Sequence, residues 1–90
     1  MKTFVIGYDL KEGEDYTSLI AAIKKISGFW WHHLDSTWLV KSEATSAQIR
    51  DYLEPHFKGV DRLLVIETVP LHWATWGFSE NALNWLHSNA

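Results

Sequence analysis

Twice between Thr3 and Val69 the apolar periodicity changes from the two-residue repeat of a strand to the 3.6-residue repeat of a helix. This alternation is the strongest constraint in the chain, because a stretch patterned for one period cannot offer a continuous apolar face in the other. Thr3 to Asp9 is β-branched and aromatic, and sets Phe4, Ile6 and Tyr8 on one face against Val5, Gly7 and Asp9 on the other. After a polar loop, Asp15 fits an N-cap and Tyr16, Leu19, Ile20, Ile23 and Ile26 follow helical spacing. Gly28 is expected to supply the left-handed stop.

Phe29 to Leu34 and Thr37 to Ser42 read as two strands joined by the tight turn Asp35-Ser36. A two-residue turn pairs Leu34 with Thr37, His33 with Trp38, His32 with Leu39 and Trp31 with Val40. One face then carries Trp31, His33, Trp38 and Val40, and the other Trp30, His32, Leu34 and Leu39. Both are apolar, so the face turned away from the helices needs a cover, for which a second copy of the chain is the simplest candidate.

Thr45-Ser46-Ala47-Gln48 has the form of a capping box. It opens a helix expected to turn Ile49, Tyr52, Leu53 and Phe57 inward and to end near Pro55. Leu63 to Val69, nearly all apolar, reads as a central strand ended by Pro70. Trp73, Trp76 and Phe78 surround Gly77, and Ser79-Glu80-Asn81 caps a short helix bearing Leu83, Trp85 and Leu86. The expected fold is α+β: a ferredoxin-like βαββαβ order with an antiparallel sheet and a short C-terminal helix. It is one domain over residues 1–90, with its core in 3–69 and an aromatic extension over 70–90.

Composition narrows the function classes. Ninety residues make a thin core, and with no cysteine neither disulfides nor thiolate metal sites can reinforce it. No run approaches the ~20 apolar residues of a membrane span, and no signal peptide is evident, so a cytoplasmic protein with no membrane association is expected. The net charge of −3 argues against a general nucleic-acid binder. Six tryptophans are more aromatic surface than one thin core hides, which points to a partner.

The candidates for chemistry are single residues. Asp9, ending the first strand, could bind a divalent cation, shared by two copies in a symmetric dimer, or could merely cap the strand. His32 and His33 point to opposite faces of a regular strand and cannot chelate one ion, which favours structural roles. His33 could stack on Trp38 or serve as a base if its face is open. Trp73 and Trp76 could stack nucleobases, but almost no positive charge lies among them, so an aromatic plug or a protein-binding surface fits better. Glu67 needs a cationic partner (Arg62, or a lysine of a second chain) if it faces inward, and none at an exposed edge.

The strand ending Tyr8-Asp9-Leu10, the helix from Tyr16 and the hairpin Asp35-Ser36-Thr37-Trp38-Leu39-Val40 resemble a known family. It is the small CRISPR-associated adaptation nuclease family (the non-integrase partner) with its VapD relatives, and more narrowly the short bacterial and phage proteins grouped as the "SinR family". The resemblance covers residues 3–69. It implies a homodimer in which Asp9 matches the family's metal-binding aspartate, with Mg²⁺ or Mn²⁺ as cofactor and nucleic acid as substrate, and it gives Ser36 a family position. Family arginines are replaced here by Lys24 and Lys25 alone, Leu34 stands in place of a Gln, and the C-terminal strand gives way to the Trp73–Phe78 segment and the Trp85 helix.

Three readings result. One is a metal-dependent nuclease relative, or a derivative that has lost catalysis, with Asp9 as the catalytic residue in a phage-defence setting. The second is a non-enzymatic phage or mobile-element module that binds another protein through a Trp-rich surface; Trp73, Trp76, His33 and Trp38 are the candidates for contacting nucleic acid or a partner. The third is a small-ligand binder using the aromatic loop as a pocket.

Overall fold

The computed structural model describes residues 1–69 and 72–89. Its elements are β1 (Lys2–Asp9), α1 (Thr17–Lys24), β2 (Trp30–Leu34), β3 (Thr37–Ser42), α2 (Ser46–Leu53), a 3₁₀ turn (Glu54–His56), β4 (Arg62–Thr68) and α3 (Glu80–Asn89). The strands form one sheet in the order β2-β3-β1-β4, and every neighbouring pair is antiparallel. The stop assigned to Pro70 lies outside the described residues.

One face of the sheet carries α1, α2 and the main core. Phe4, Ile6 and Tyr8 alternate inward from β1 as their spacing requires, beside Trp38 and Val40 of β3. Leu19 and Ile23 of α1 and Ile49 and Leu53 of α2 close over them. Fully burying one such side chain contributes roughly 1.5–3 kcal/mol. The capping box forms: the Thr45 amide donates to Gln48 Oε1 at 2.9 Å, and the Gln48 amide donates to Thr45 Oγ1 at 3.1 Å.

The two helices on this face depart from expectation at three points. Ala22, not Ile20, completes the buried stripe, and Ile20 is 37% exposed at its margin. Tyr52 is also largely exposed, yet its hydroxyl donates to the Ala22 carbonyl at 2.9 Å. Gly28 is not the stop. The helix ends at Lys24, and its last carbonyls are met by the Lys25 and Ile26 amides in a tightened turn, so no left-handed glycine is required. Among the described residues only Gly13 and Gly77 have positive φ.

The hairpin corrects the expected register. Leu34 does pair with Thr37 across the Asp35-Ser36 turn, but Trp31 pairs with Leu39 and Trp30 with Val40. His32 and His33 together oppose Trp38, a bulge of one extra residue, and everything before it on β2 changes face. Trp30 therefore packs on the main core, and Trp31 turns to the opposite side with Leu39. His32, not His33, stacks on Trp38, with ring centroids 3.7 Å apart and planes at 10°. The His33 ring lies 5.1 Å from that of Trp31.

The far side of the sheet is covered over β2 and β3 by the chain's own C-terminus, not by a second copy. Trp31, Ala82 and Leu86 form a second buried cluster, flanked by Leu39, Phe78, Leu83 and Trp85. The Trp31 indole N–H donates to the Ala82 carbonyl at 3.0 Å. Ser79 Oγ accepts from the Ala82 amide at 3.3 Å as the cap of α3, and Lys41 Nζ reaches the Asn89 carbonyl at 2.7 Å.

β4 is an edge strand, not a central one. A continuous apolar run suggests burial on both faces, but here only one face is covered. Leu63 and Val65 pack toward the core, while Leu64 and Ile66 on the far face are 58% and 46% exposed. Glu67 takes the exposed-edge alternative and lies 3.7 Å from Lys2 Nζ within the same chain.

Candidate functional site

Asp9 ends β1, exposed and directly opposite Arg62 of β4. By alternation it shares the far face with Val5 and Gly7. Among the described residues no group of three or more His, Cys, Asp or Glu side chains could hold a metal ion. Asp9 therefore belongs to no such group within the described chain.

Close to Asp9 in the fold is a carboxylate that sequence reading did not single out. Asp61, at the entry to β4, accepts from the Lys11 amide at 2.7 Å, from the Tyr16 hydroxyl at 2.7 and 2.8 Å, and from the Lys58 amide at 2.6 Å. It ties the β1–α1 loop to the turn before β4. Burial pushes its pKa up, but the Lys58 amide, the Tyr16 hydroxyl and the Lys11 amide together outweigh that and hold it below the ordinary carboxylate value. Burial and the bond to Asp61 push the Tyr16 phenol above its usual value. These donors occupy both carboxylate oxygens, so Asp61 works as a latch and has little capacity left for a ligand. The only trace in the sequence is an Asp three residues after Lys58 in a Gly-containing turn, a common arrangement.

A groove runs along the β4 edge beneath α2. One part, of about 270 Å³, is lined by Ser46, Ala47, Arg50, Leu63, Leu64 and Val65. The next, of about 490 Å³, shares Arg50 and Leu63 and extends to Phe57, Lys58 and Asp61. The small side chains of Ser46 and Ala47 leave this space open.

The aromatic candidates separate by position. Trp38 is 0% exposed and its indole donates to the Tyr8 hydroxyl, so it reaches no partner in this fold. His33 is exposed on β2, beside Trp31. Trp73 is 36% exposed, with its ring 5.1 Å from that of His87 on α3. Trp76 is 95% exposed, next to the left-handed turn at Gly77. The structure leaves Trp73, Trp76 and His33 at the surface and buries Trp38.

No described helix is long and apolar enough to cross a membrane. Set against protein-family models, curated proteins and solved structures, the chain matches none of them.

Proposed function

We propose that this chain is a ferredoxin-like module that acts by contact with another protein, with Trp76 as its main contact residue. The observation that carries the reading is the 95% exposure of Trp76, when Trp31 and Trp38 are buried and Trp30 and Trp85 are half-buried. A free indole exposes a large apolar area to water, and such residues anchor protein interfaces. The ferredoxin-like reading is supported by the β2-β3-β1-β4 order and by two helical crossovers, each joining strands that have a third between them. A cytoplasmic phage or mobile-element protein fits this reading.

The test is affinity capture from the producing cells with wild type, Trp76→Ala and Asp9→Ala, each first shown to be folded. A protein captured by wild type and Asp9→Ala but lost with Trp76→Ala is the expected result. Capture that is indifferent to Trp76 contradicts it.

A nuclease relative remains the second reading, favoured by Asp9 standing exposed at the end of β1. Under it, Asp9 from each of two chains would hold Mg²⁺ or Mn²⁺ against a nucleic-acid phosphate.

A further inference from the structure

The two edges of the sheet are treated very differently. β2 is short, is interrupted by the His32-His33 bulge and has α3 packed against it. Those features protect an edge from pairing with another chain. β4 also carries a helix, α2, on its helical face, but it is neither short nor bulged. Its seven residues pair with β1 in unbroken register from Arg62↔Asp9 to Thr68↔Thr3. Its charges, Arg62 and Glu67, lie toward the ends, and Leu63-Leu64-Val65-Ile66 between them carries neither charge nor proline. A regular, uncharged edge offers unpaired backbone amides and carbonyls to any extended strand.

We propose that the β4 edge pairs with β4 of a second copy of this chain, antiparallel about a two-fold axis through Val65, giving one continuous eight-stranded sheet. The proposal does not depend on Trp76. The matching of exposed Leu64 to exposed Ile66 selects a second copy, and register with the avoidance of like charges selects the axis. Residues directly opposite in an antiparallel pair share a face, so the axis must pass through a residue. Centred on Val65, all seven residues find partners: Arg62 with Thr68, Leu63 with Glu67, Leu64 with Ile66, and Val65 with itself. No two like charges stand opposite. Moving the axis to Leu64 sets Asp61 against Glu67, and moving it to Ile66 leaves Arg62 without a partner inside the strand.

The chosen axis also joins what is exposed. Leu64 and Ile66 of both copies meet as two cross-strand apolar pairs on the far face, beside Val5 of each β1. On the helical face, the groove bounded by Ser46, Ala47 and Arg50 has room for side chains of the added strand.

The same axis separates the two Asp9 residues. Asp9 lies one strand inward from β4 and three residues from the axis, so the pair would be about 25 Å apart at normal strand rise and spacing. This dimer cannot form a shared metal site at Asp9.

The test is the mass in solution of wild type, Leu64→Lys and Ile66→Lys, with tryptophan fluorescence confirming that each is folded. At about 100 µM, where a Kd near 1 µM leaves little monomer, wild type should run at twice 10.4 kDa. Each lysine, placed on an exposed position, should raise the dissociation constant at least tenfold. Because the chain has no cysteine, Leu64→Cys mixed with Ile66→Cys should cross-link on oxidation with diamide, chiefly as the mixed pair. A monomeric wild type overturns the proposal, including one that instead takes up an added extended peptide. A dimer insensitive to both lysines, or cross-linking without preference for the mixed pair, overturns it equally.

Discussion

The indole N–H of Trp38 donates to the hydroxyl of Tyr8 at 2.9 Å in the main core, and that hydroxyl in turn lies 3.4 Å from the Asp35 carbonyl. Two polar groups that would be costly to bury alone satisfy each other, and the hairpin turn is drawn onto the end of β1. Tyr8→Phe keeps the shape but leaves the indole without its acceptor. An unsatisfied buried donor costs about 1–3 kcal/mol, and urea unfolding should show a loss of that size with an unchanged denaturant slope.

The Asp61 latch predicts a particular pH dependence. The Asp61 pKa is held below its ordinary 3.8, so its stabilising contribution is present above that value and is lost as pH falls through the lowered one. The Tyr16 pKa is raised above 10.0, so its contribution is present below that value and is lost as pH rises through the raised one. The difference in thermal midpoint between wild type and Asp61→Asn should be constant through neutral pH and shrink in acid. Tyr16→Phe should weaken the loss at the alkaline end.

Thr45→Ala removes the acceptor at the start of α2 and should cost about 0.5–2 kcal/mol in the same unfolding experiment. Gln48→Ala removes only the return bond to the Thr45 amide, and its loss should be the smaller.

The second cluster makes the C-terminus part of the fold rather than an appendage. Leu86→Ala, at a position 4% exposed, should cost about 2–5 kcal/mol. It should also shift Trp31 emission to the red as water reaches the indole. A tail that could be altered without effect on stability would contradict the contact between Trp31 and Ala82.

Much of the fold was legible where a local rule acts alone. The alternation of Phe4, Ile6 and Tyr8, the Thr45–Gln48 box, the Asp35-Ser36 turn and the Ser79 cap all depend on residues close in sequence. The misreadings have tertiary causes. The His32-His33 bulge is invisible to a period-two count, and one extra residue sufficed to exchange the faces of Trp30 and Trp31. The apolar run of β4 resembled a central strand because periodicity reports hydrophobicity, not where a strand lies in the sheet. Asp61 escaped notice because its donors, Lys11 and Tyr16, are distant in sequence. The exposure of Trp76 and the burial of Trp38 could be settled only once their neighbours were known.

The most direct test of protein contact over catalysis is a gel assay of purified protein against single- and double-stranded DNA and RNA, with Mg²⁺, Mn²⁺ or EDTA, beside Asp9→Ala. No cleavage that depends on both metal and Asp9 is expected. Cleavage that requires Mg²⁺ or Mn²⁺, stops with EDTA and disappears in Asp9→Ala would contradict the protein-contact reading and make Asp9 a metal ligand of an enzyme.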